Sequence, residues 1–354
     1  MSVTAKKLLR RTLLSLACLL LALLLIVGGY LAYVLIAYHR IGDEDTAIHA
    51  RATGTLAAGE EYNILTWNIG FAAYSQDFSF FMDGGTESRA YSEDEVKKNL
   101  AGILSRLKQE NADLMLLQEI DTDATRSYHV DEQAYLENGL PDYSATFARN
   151  YDSPYLFYPI LSPHGRSRAG LLTLAATSVT SARRVELPIE QGFMKFLDLD
   201  RCYHKVAIPI EDGKTLYLYN LHLSAYTSDG TISTEQLRLL LADMQGELDR
   251  GGYVIAGGDF NKDLLHEHKN ATDTWAQPLP LELLGERFSL VAGDRTVHSC
   301  RNCDEGYQKG HTFEVTVDGF IVSDNITVTA VTTIDEAFMH SDHNPVKMSF
   351  ILKP

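Results

Sequence analysis

Tyr253-Val254-Ile255-Ala256-Gly257-Gly258-Asp259-Phe260-Asn261 is a short apolar run that stops at a double glycine and then presents two polar side chains. Its length and β-branched content predict a buried strand. Asp259 and Asn261 are two positions apart, so an extended backbone points both the same way. Before it, Leu237, Leu240, Leu241, Met244 and Leu248 fall on one helical face. The unit is therefore a helix followed by a strand that delivers a carboxylate at its end. An earlier unit repeats the pattern: Val96, Leu100, Ile103, Leu104 and Leu107 form a helical face between Glu95 and Asn111, and the run Leu114 to Leu117 leads to Glu119. Strand-like sequence at Lys214–Leu223 and Thr312–Val322 separates or follows these units. Within Leu216–His222 the period of two places Asn220 and His222 on one strand face. Together these elements predict an α/β fold, with two packed sheets and helices outside.

Further polar residues sit at the ends of strand-like runs: Asn68 in Thr66-Trp67-Asn68-Ile69-Gly70, Asp318 in Val317-Asp318-Gly319, and Asp342 with His343 in Ser341-Asp342-His343-Asn344-Pro345. Hydrolysis of a phosphate ester needs a hard cation held by oxygen ligands, a base that prepares water, and donors for the charge developing on phosphorus. The set contains each of these. Each piece alone has a plainer reading: a strand-end Glu in solvent, a tight turn favouring Asp and Asn, a hydrogen-bonded core histidine, or an Asp-His surface turn.

Taken in order from about residue 62 to residue 352, the pieces resemble the endonuclease/exonuclease/phosphatase superfamily, in the deoxyribonuclease, sphingomyelinase and inositol polyphosphate 5-phosphatase branches, whose Asn-x-His-Leu pattern is similar to Asn220-Leu221-His222-Leu223. The resemblance implies a four-layer α/β sandwich of two packed mixed sheets flanked by helices, over residues 62–354. It implies Glu119 as the main metal ligand with Asn68 as its helper and Asp342 as a second candidate ligand. The metal expected is Mg²⁺, with Mn²⁺ a close substitute. His222, Asp259, Asn261, Asp318 and His343 become the catalytic candidates, with Asp318 holding the tautomer of His343. Whether Asp259 or His343 is the base stays open. Arg168 and Arg201 are weaker candidates for a phosphate clamp, and His311, His340 and Tyr226 are weaker still.

The first forty residues carry a different message. Lys6, Lys7, Arg10 and Arg11 precede an uncharged, Leu-rich stretch from Thr12 to Tyr38, which as a helix would extend roughly 40 Å. The expectation is a basic cytoplasmic segment 1–11, one transmembrane helix over 12–38, a linker over 39–61, and a catalytic domain on the outer side of the cell membrane. The rival reading, a cleaved signal peptide, has no small-x-small site after the run. Beyond residue 40 the chain holds 26 Lys and Arg against 47 Asp and Glu, a net of −21. So acidic a domain disfavours a tight grip on nucleic acid, which is carried mainly by phosphate neutralisation. Small or membrane-borne phosphate esters are the favoured substrates, a surface nuclease is the alternative, and a binding module that has lost catalysis is the alternative of another class. No long hydrophobic substrate loop is recognisable. Segments 75–94 and 262–284 read as long surface loops near the site mouth. Cys300 and Cys303 suggest either a small loop disulfide or two free thiols.

Overall fold

The structure, a computed structural model, describes residues 3–190, 195, 200–225, 231–268, 275–293 and 295–354. The chain divides into two units, Met1–Arg40 and Ile41–Pro354. The first is a single helix, Val3–Ala37, long and apolar enough to cross a membrane.

In the second unit the described residues form two seven-stranded mixed sheets and a two-stranded ribbon. One sheet runs, edge to edge, Ile326–Thr333, Val346–Leu352, Glu61–Asn68, Leu114–Asp121, Arg168–Ala175, Ser144–Asp152 and Ile48–His49. The other runs Glu44–Asp45, Ser181–Glu186, Cys202–Pro209, Thr215–His222, Tyr253–Asp259, Asp318–Ser323 and Phe288–Ala292. Each sheet has a parallel pair at its centre, Glu61–Asn68 beside Leu114–Asp121 in one and Thr215–His222 beside Tyr253–Asp259 in the other. Parallel neighbours need a crossover, and the two helices read from the sequence supply it. The helix Glu93–Glu110 links the first pair and Thr231–Asp249 the second.

Local chemistry sets the ends of the first crossover. Ser92 accepts a hydrogen bond from the Glu95 N–H at 3.1 Å, and Asn111 closes the helix in the left-handed region at φ 45°. Val96, Leu100, Ile103 and Leu107 bury their stripe against Trp67, Met115 and Leu117. On the opposite side of the molecule Leu237, Leu240, Met244 and Leu248 cover Tyr219, Leu221, Val254 and Ala256. Between the sheets lies a third apolar layer that includes Ile64, Leu116, Leu218, Ile255, Phe320 and Met348. Helix, sheet, sheet and helix make the four layers that the resemblance implied.

Four segments differ from their expected form. Residues 39–61 were expected to be a linker, yet Glu44–Asp45 pairs with Arg183 and Arg184, and Ile48–His49 pairs with Ala145 and Thr146. The chain from Ile41 onward thus adds a short edge strand to each sheet, and the guanidinium of Arg184 fastens the carbonyls of Ile41 and Gly42. Two-residue strands carry no periodicity, which is why the sequence hides them. Segment 75–94 is a surface loop over much of its length but buries Phe78, Phe80 and Ala90 with Phe71 and Tyr74, and segment 262–284, of which residues 269–274 lie outside the described residues, buries Lys262, Asp263, Leu264, Ala276, Leu279 and Leu284. The run Thr312–Val322 is interrupted, forming Glu314–Val315 and then Asp318–Ser323.

Candidate active site

Both central parallel pairs end on the same side of the sandwich, and their carboxyl ends carry the polar residues. Asn68 is registered opposite Gln118, one position before Glu119, and His222 is registered opposite Asp259. Underneath, the sheets are joined by a buried polar bridge. Gln118 donates to Asn220 Oδ1 at 2.8 Å, and the Asn220 amide donates to the carbonyls of Leu117 at 3.2 Å and Leu172 at 3.1 Å. Gly257 lies in the same layer, where a Cβ would meet Phe320 and Leu116 at 2.6–2.9 Å. A side chain there would force the sheets apart.

Glu119 leaves its strand at a register shift between Leu117 and Ile120, with φ at 55°. A bulge of this kind re-aims a side chain, and the left-handed conformation costs a non-glycine residue roughly 1–2 kcal/mol. The carboxylate that results meets the Asn68 amide, whose Nδ2 donates to Glu119 Oε1 at 3.2 Å and to Asp259 Oδ2 at 3.1 Å. Asn68 Oδ1 accepts the Gly70 N–H at 3.0 Å, which fixes the orientation of the amide. One side chain therefore joins the carboxylates delivered by the two sheets.

Asp259 is the hub. His222 Nε2 lies 3.5 Å and His343 Nε2 3.8 Å from its Oδ2. His343 Nδ1 donates to Asp318 Oδ2 at 2.7 Å. Asn261, left-handed at φ 49°, returns its backbone N–H to Asp259 Oδ1 at 2.8 Å and donates its side-chain amide to the Leu223 carbonyl at 2.8 Å. His222 Nδ1 and Asp318 Oδ1 are buried with no hydrogen-bond partner among the described residues. Native interiors rarely leave such atoms unsatisfied, and a bound ion, water or substrate is one partner that could receive them.

The electrostatics follow from burial and crowding. Burial first, and the Asp318 charge second, push the Asp259 carboxyl up to about 7. Glu119 is raised by burial, against the pull of Arg126 and with a further push from Asp342. Burial opposes a charge on His343, but the carboxylate of Asp318, with Cys300 and Asp342, lifts it well above the ordinary imidazole value. Burial, Arg201 and His343 hold His222 well below that value.

A cavity of about 140 Å³ is lined by Asn68, Glu119, His222, Asp259, Asn261, His343 and Arg201, together with Tyr74, Phe80, Arg126, Tyr151 and His164. Asp342 faces an adjoining cavity that shares Met82, Asp83, Ala225 and Asn261 with the first. Asp318 stands behind His343. Among the described residues, the acidic and imidazole groups whose ligand atoms all fall within 4.8 Å are Asp259, Asp318 and His343. Among the described residues, neither Glu119 nor Asp342, both expected as ligands, belongs to a group of three at that spacing.

Arg168 is placed elsewhere, in ion pairs with Asp123 and Asp152 at 3.4 Å, and does not line the cavity. Arg126, which the sequence reading passed over, lines the cavity together with Arg201. Arg126 reaches the cavity from the 3₁₀ turn Thr125–Ser127, fixed bidentately by Asp121 at 2.8 and 3.0 Å and lying 3.9 Å over the Phe71 ring. Its only sequence signal is a position seven residues after Glu119, which no strand or helix period connects. His340 packs instead beside Asn99, His311 is exposed, and Tyr226 lies outside the described residues. Cys300 and Cys303 are buried free thiols, so of the two expected states the free one is found. Cys303 Sγ donates to Asp342 Oδ2 at 3.5 Å, and burial pushes Cys300 up to about 12.

Comparison with known proteins agrees with this architecture. An endonuclease/exonuclease/phosphatase from Beutenbergia cavernae superposes with a TM-score of 0.62 at 18% identity, covering 83% of this chain and 72% of that one. ANGEL2, a 2′,3′-cyclic phosphatase, gives 0.56 at 16% identity over 88% of this chain and 99% of that one. D. rerio TDP2 complexed with a single-strand DNA product gives 0.53 at 15% identity over 82% and 99%. No curated protein sequence matches the chain. Residues 65–343 match the Endonuclease/Exonuclease/phosphatase family, and the chain belongs to it.

Proposed function

We propose that this protein is a membrane-anchored phosphoesterase, dependent on Mg²⁺ or Mn²⁺, that hydrolyses a phosphate mono- or diester by attack of an activated water. The observation that carries the reading is the meeting of Asn68, Glu119, His222, Asp259 and His343 around one cavity at the carboxyl ends of strands from both sheets. Relatives of the fold are named for phosphate chemistry, including a cyclic phosphatase.

The donors suit a hard cation. Glu119 is an oxygen ligand at the cavity whose charge burial opposes and Asp342 opposes further, a conflict that a divalent ion relieves. His343, which Asp318 keeps protonated, repels a cation, so Glu119 with Asn68 is the favoured holder and Asp342 an outer contributor. When bound, the ion supplies charge neutralisation at the phosphoryl oxygens. The remaining work falls to side chains. Asp259, with a pKa near neutrality, takes the proton of the attacking water. His343, kept protonated and oriented by Asp318, donates to a non-bridging oxygen. His222, kept neutral, offers a ring N–H to the phosphate or its leaving oxygen. Asn261 locks the Asp259 carboxylate, and Arg126 and Arg201 add positive charge to the cavity wall.

The basic residues before the apolar helix favour a cytoplasmic N-terminus and an outward-facing catalytic domain. The net charge of −21 beyond residue 40 favours small or lipid-borne esters over nucleic acid. A surface nuclease is the second reading, supported by the likeness to a fold relative that holds a DNA product. The test is a substrate panel offered to the full chain with Mg²⁺ or chelator: plasmid DNA, bis-para-nitrophenyl phosphate, para-nitrophenyl phosphate and sphingomyelin. Chelator-sensitive turnover confined to small or lipid esters supports the proposal, nicking of plasmid moves it to the nuclease, and silence on every substrate favours the binding module.

A further inference from the structure

Leu156 and Gly165 exchange backbone hydrogen bonds, both 3.0 Å, and close a protruding loop. Its tip carries the most exposed large apolar residues of the second unit among those described: Leu161 at 99%, Ile160 at 83%, Tyr158 at 68% and Phe157 at 55%. Single exposed apolar side chains are ordinary on a soluble surface, but four within five positions form a patch that calls for a partner. From Ser153 to Gly165 the sequence contains no acidic residue, although the surrounding domain is strongly acidic. Arg149 and Arg166, each a little over 40% exposed and both paired with Asp152, at 3.3 and 2.8 Å, stand at the root of the loop.

The loop is also tied to the active site. Ser88 Oγ donates to the Ser162 carbonyl, and His164 Nδ1 donates to the Ser88 carbonyl at 2.8 Å. Phe81 touches both Tyr158 and His164, with ring centroids 5.8 Å apart in each case. His164 itself lines the catalytic cavity. The base of the loop is therefore part of the cavity wall.

We propose that Phe157, Tyr158, Ile160 and Leu161 enter the interfacial layer of a lipid bilayer and set the cavity against it, so that the ester hydrolysed is carried by a membrane lipid. The second half of this inference rests on the phosphoesterase reading above. A bilayer is the occupant chosen because the chain carries its own apolar helix, Val3–Ala37, and enters the domain at Ile41, so linkage alone keeps membrane at hand. An uncharged mixture of aromatic and aliphatic side chains flanked by arginines is the composition that a headgroup boundary accepts.

The test uses the full chain reconstituted in phosphatidylcholine vesicles, with Leu161→Trp read against the unsubstituted chain to remove the emission of Trp67 and Trp275. The added emission should be blue-shifted and quenched at least twofold when the lipid acyl chains are brominated. Emission typical of water, quenched by acrylamide and indifferent to bromine, would overturn the proposal. Shielding that grows with protein density in unbrominated vesicles would assign the patch to a second copy and overturn it equally. A paired Ile160→Ser and Leu161→Ser variant should lose on the order of tenfold in hydrolysis of a vesicle-borne phosphodiester while turning over soluble bis-para-nitrophenyl phosphate unchanged; equal losses on both, or none on either, would refute the lipid-substrate half. The fluorescence readout requires no turnover, so it stands or falls apart from the phosphoesterase reading.

Discussion

His343 is held between two aspartates: its Nδ1 donates to Asp318 at 2.7 Å, and its Nε2 faces Asp259 across 3.8 Å. The first contact fixes tautomer and charge, and the second directs the other ring nitrogen at the cavity. If the pair acts as a unit, Asp318→Asn should lower kcat roughly 10²-fold or more. His343→Gln placed on top of it should cost little further. Steady-state rates for both single variants and the double variant measure this coupling, and penalties that simply multiply would show that the two residues act separately.

Glu119 holds a left-handed backbone at φ 55° and a carboxylate whose charge burial opposes. Glu119→Gly relieves both. The expected outcome is a protein more stable by about 1 kcal/mol from the backbone alone, yet without activity and without a thermal response to Mg²⁺. Thermal melts of the two proteins decide it; a less stable glycine variant would mean that the bulge is not under strain.

The pH response follows from Asp259, whose carboxyl rises from an ordinary 3.8 to about 7. The folded apo protein keeps a proton there that the unfolded chain releases, so this group's contribution to stability is full below about 4 and is lost as pH rises towards 7. A cation held by Glu119 favours the ionised form of Asp259, which Asn68 joins to it, and so opposes that proton. The gain in Tm on adding Mg²⁺ should therefore be larger at pH 8 than at pH 5.5, and kcat/KM should rise with pH through about 7. A gain in Tm independent of pH would contradict the assignment.

Asn220 spends its amide on the carbonyls of Leu117 and Leu172 and its oxygen on Gln118. Removing it takes a donor from each of the two carbonyls, at about 1–3 kcal/mol apiece, while Gln118 keeps Thr66 and Leu116 as acceptors. Asn220→Ala should lower stability by about 3 kcal/mol in urea unfolding, and a loss below about 0.5 kcal/mol would show that the bridge does not hold the sheets together.

What the sequence revealed and what it hid have a common physical origin. The helical stripe from Val96 to Leu107 and the runs leading to Glu119 and Asp259 are long enough for periodicity to show, and they predicted the crossovers and the strand ends that carry the site. His222 and Asn220 were correctly placed on one strand face, although Asn220 proves to be a structural bridge. Arg126 was missed because it comes from a 3₁₀ turn, where no period marks which side chains face inward. The edge strands Glu44–Asp45 and Ile48–His49 were missed because they are defined by partners more than ninety residues away. The apolar tip from Phe157 to Leu161 was not recognised, since four apolar residues within five positions carry no period that tells an exposed loop from a buried one.

Glu119 and His343 line one cavity and should serve one metal-dependent hydrolysis. Turnover of bis-para-nitrophenyl phosphate by the full chain, with Mg²⁺ and with chelator, for the parent, Glu119→Ala and His343→Ala, tests it most directly. Chelator-sensitive turnover that falls at least about 100-fold in each variant, with Tm retained, is the predicted result. Turnover that survives both substitutions, or that ignores the chelator, would contradict the account.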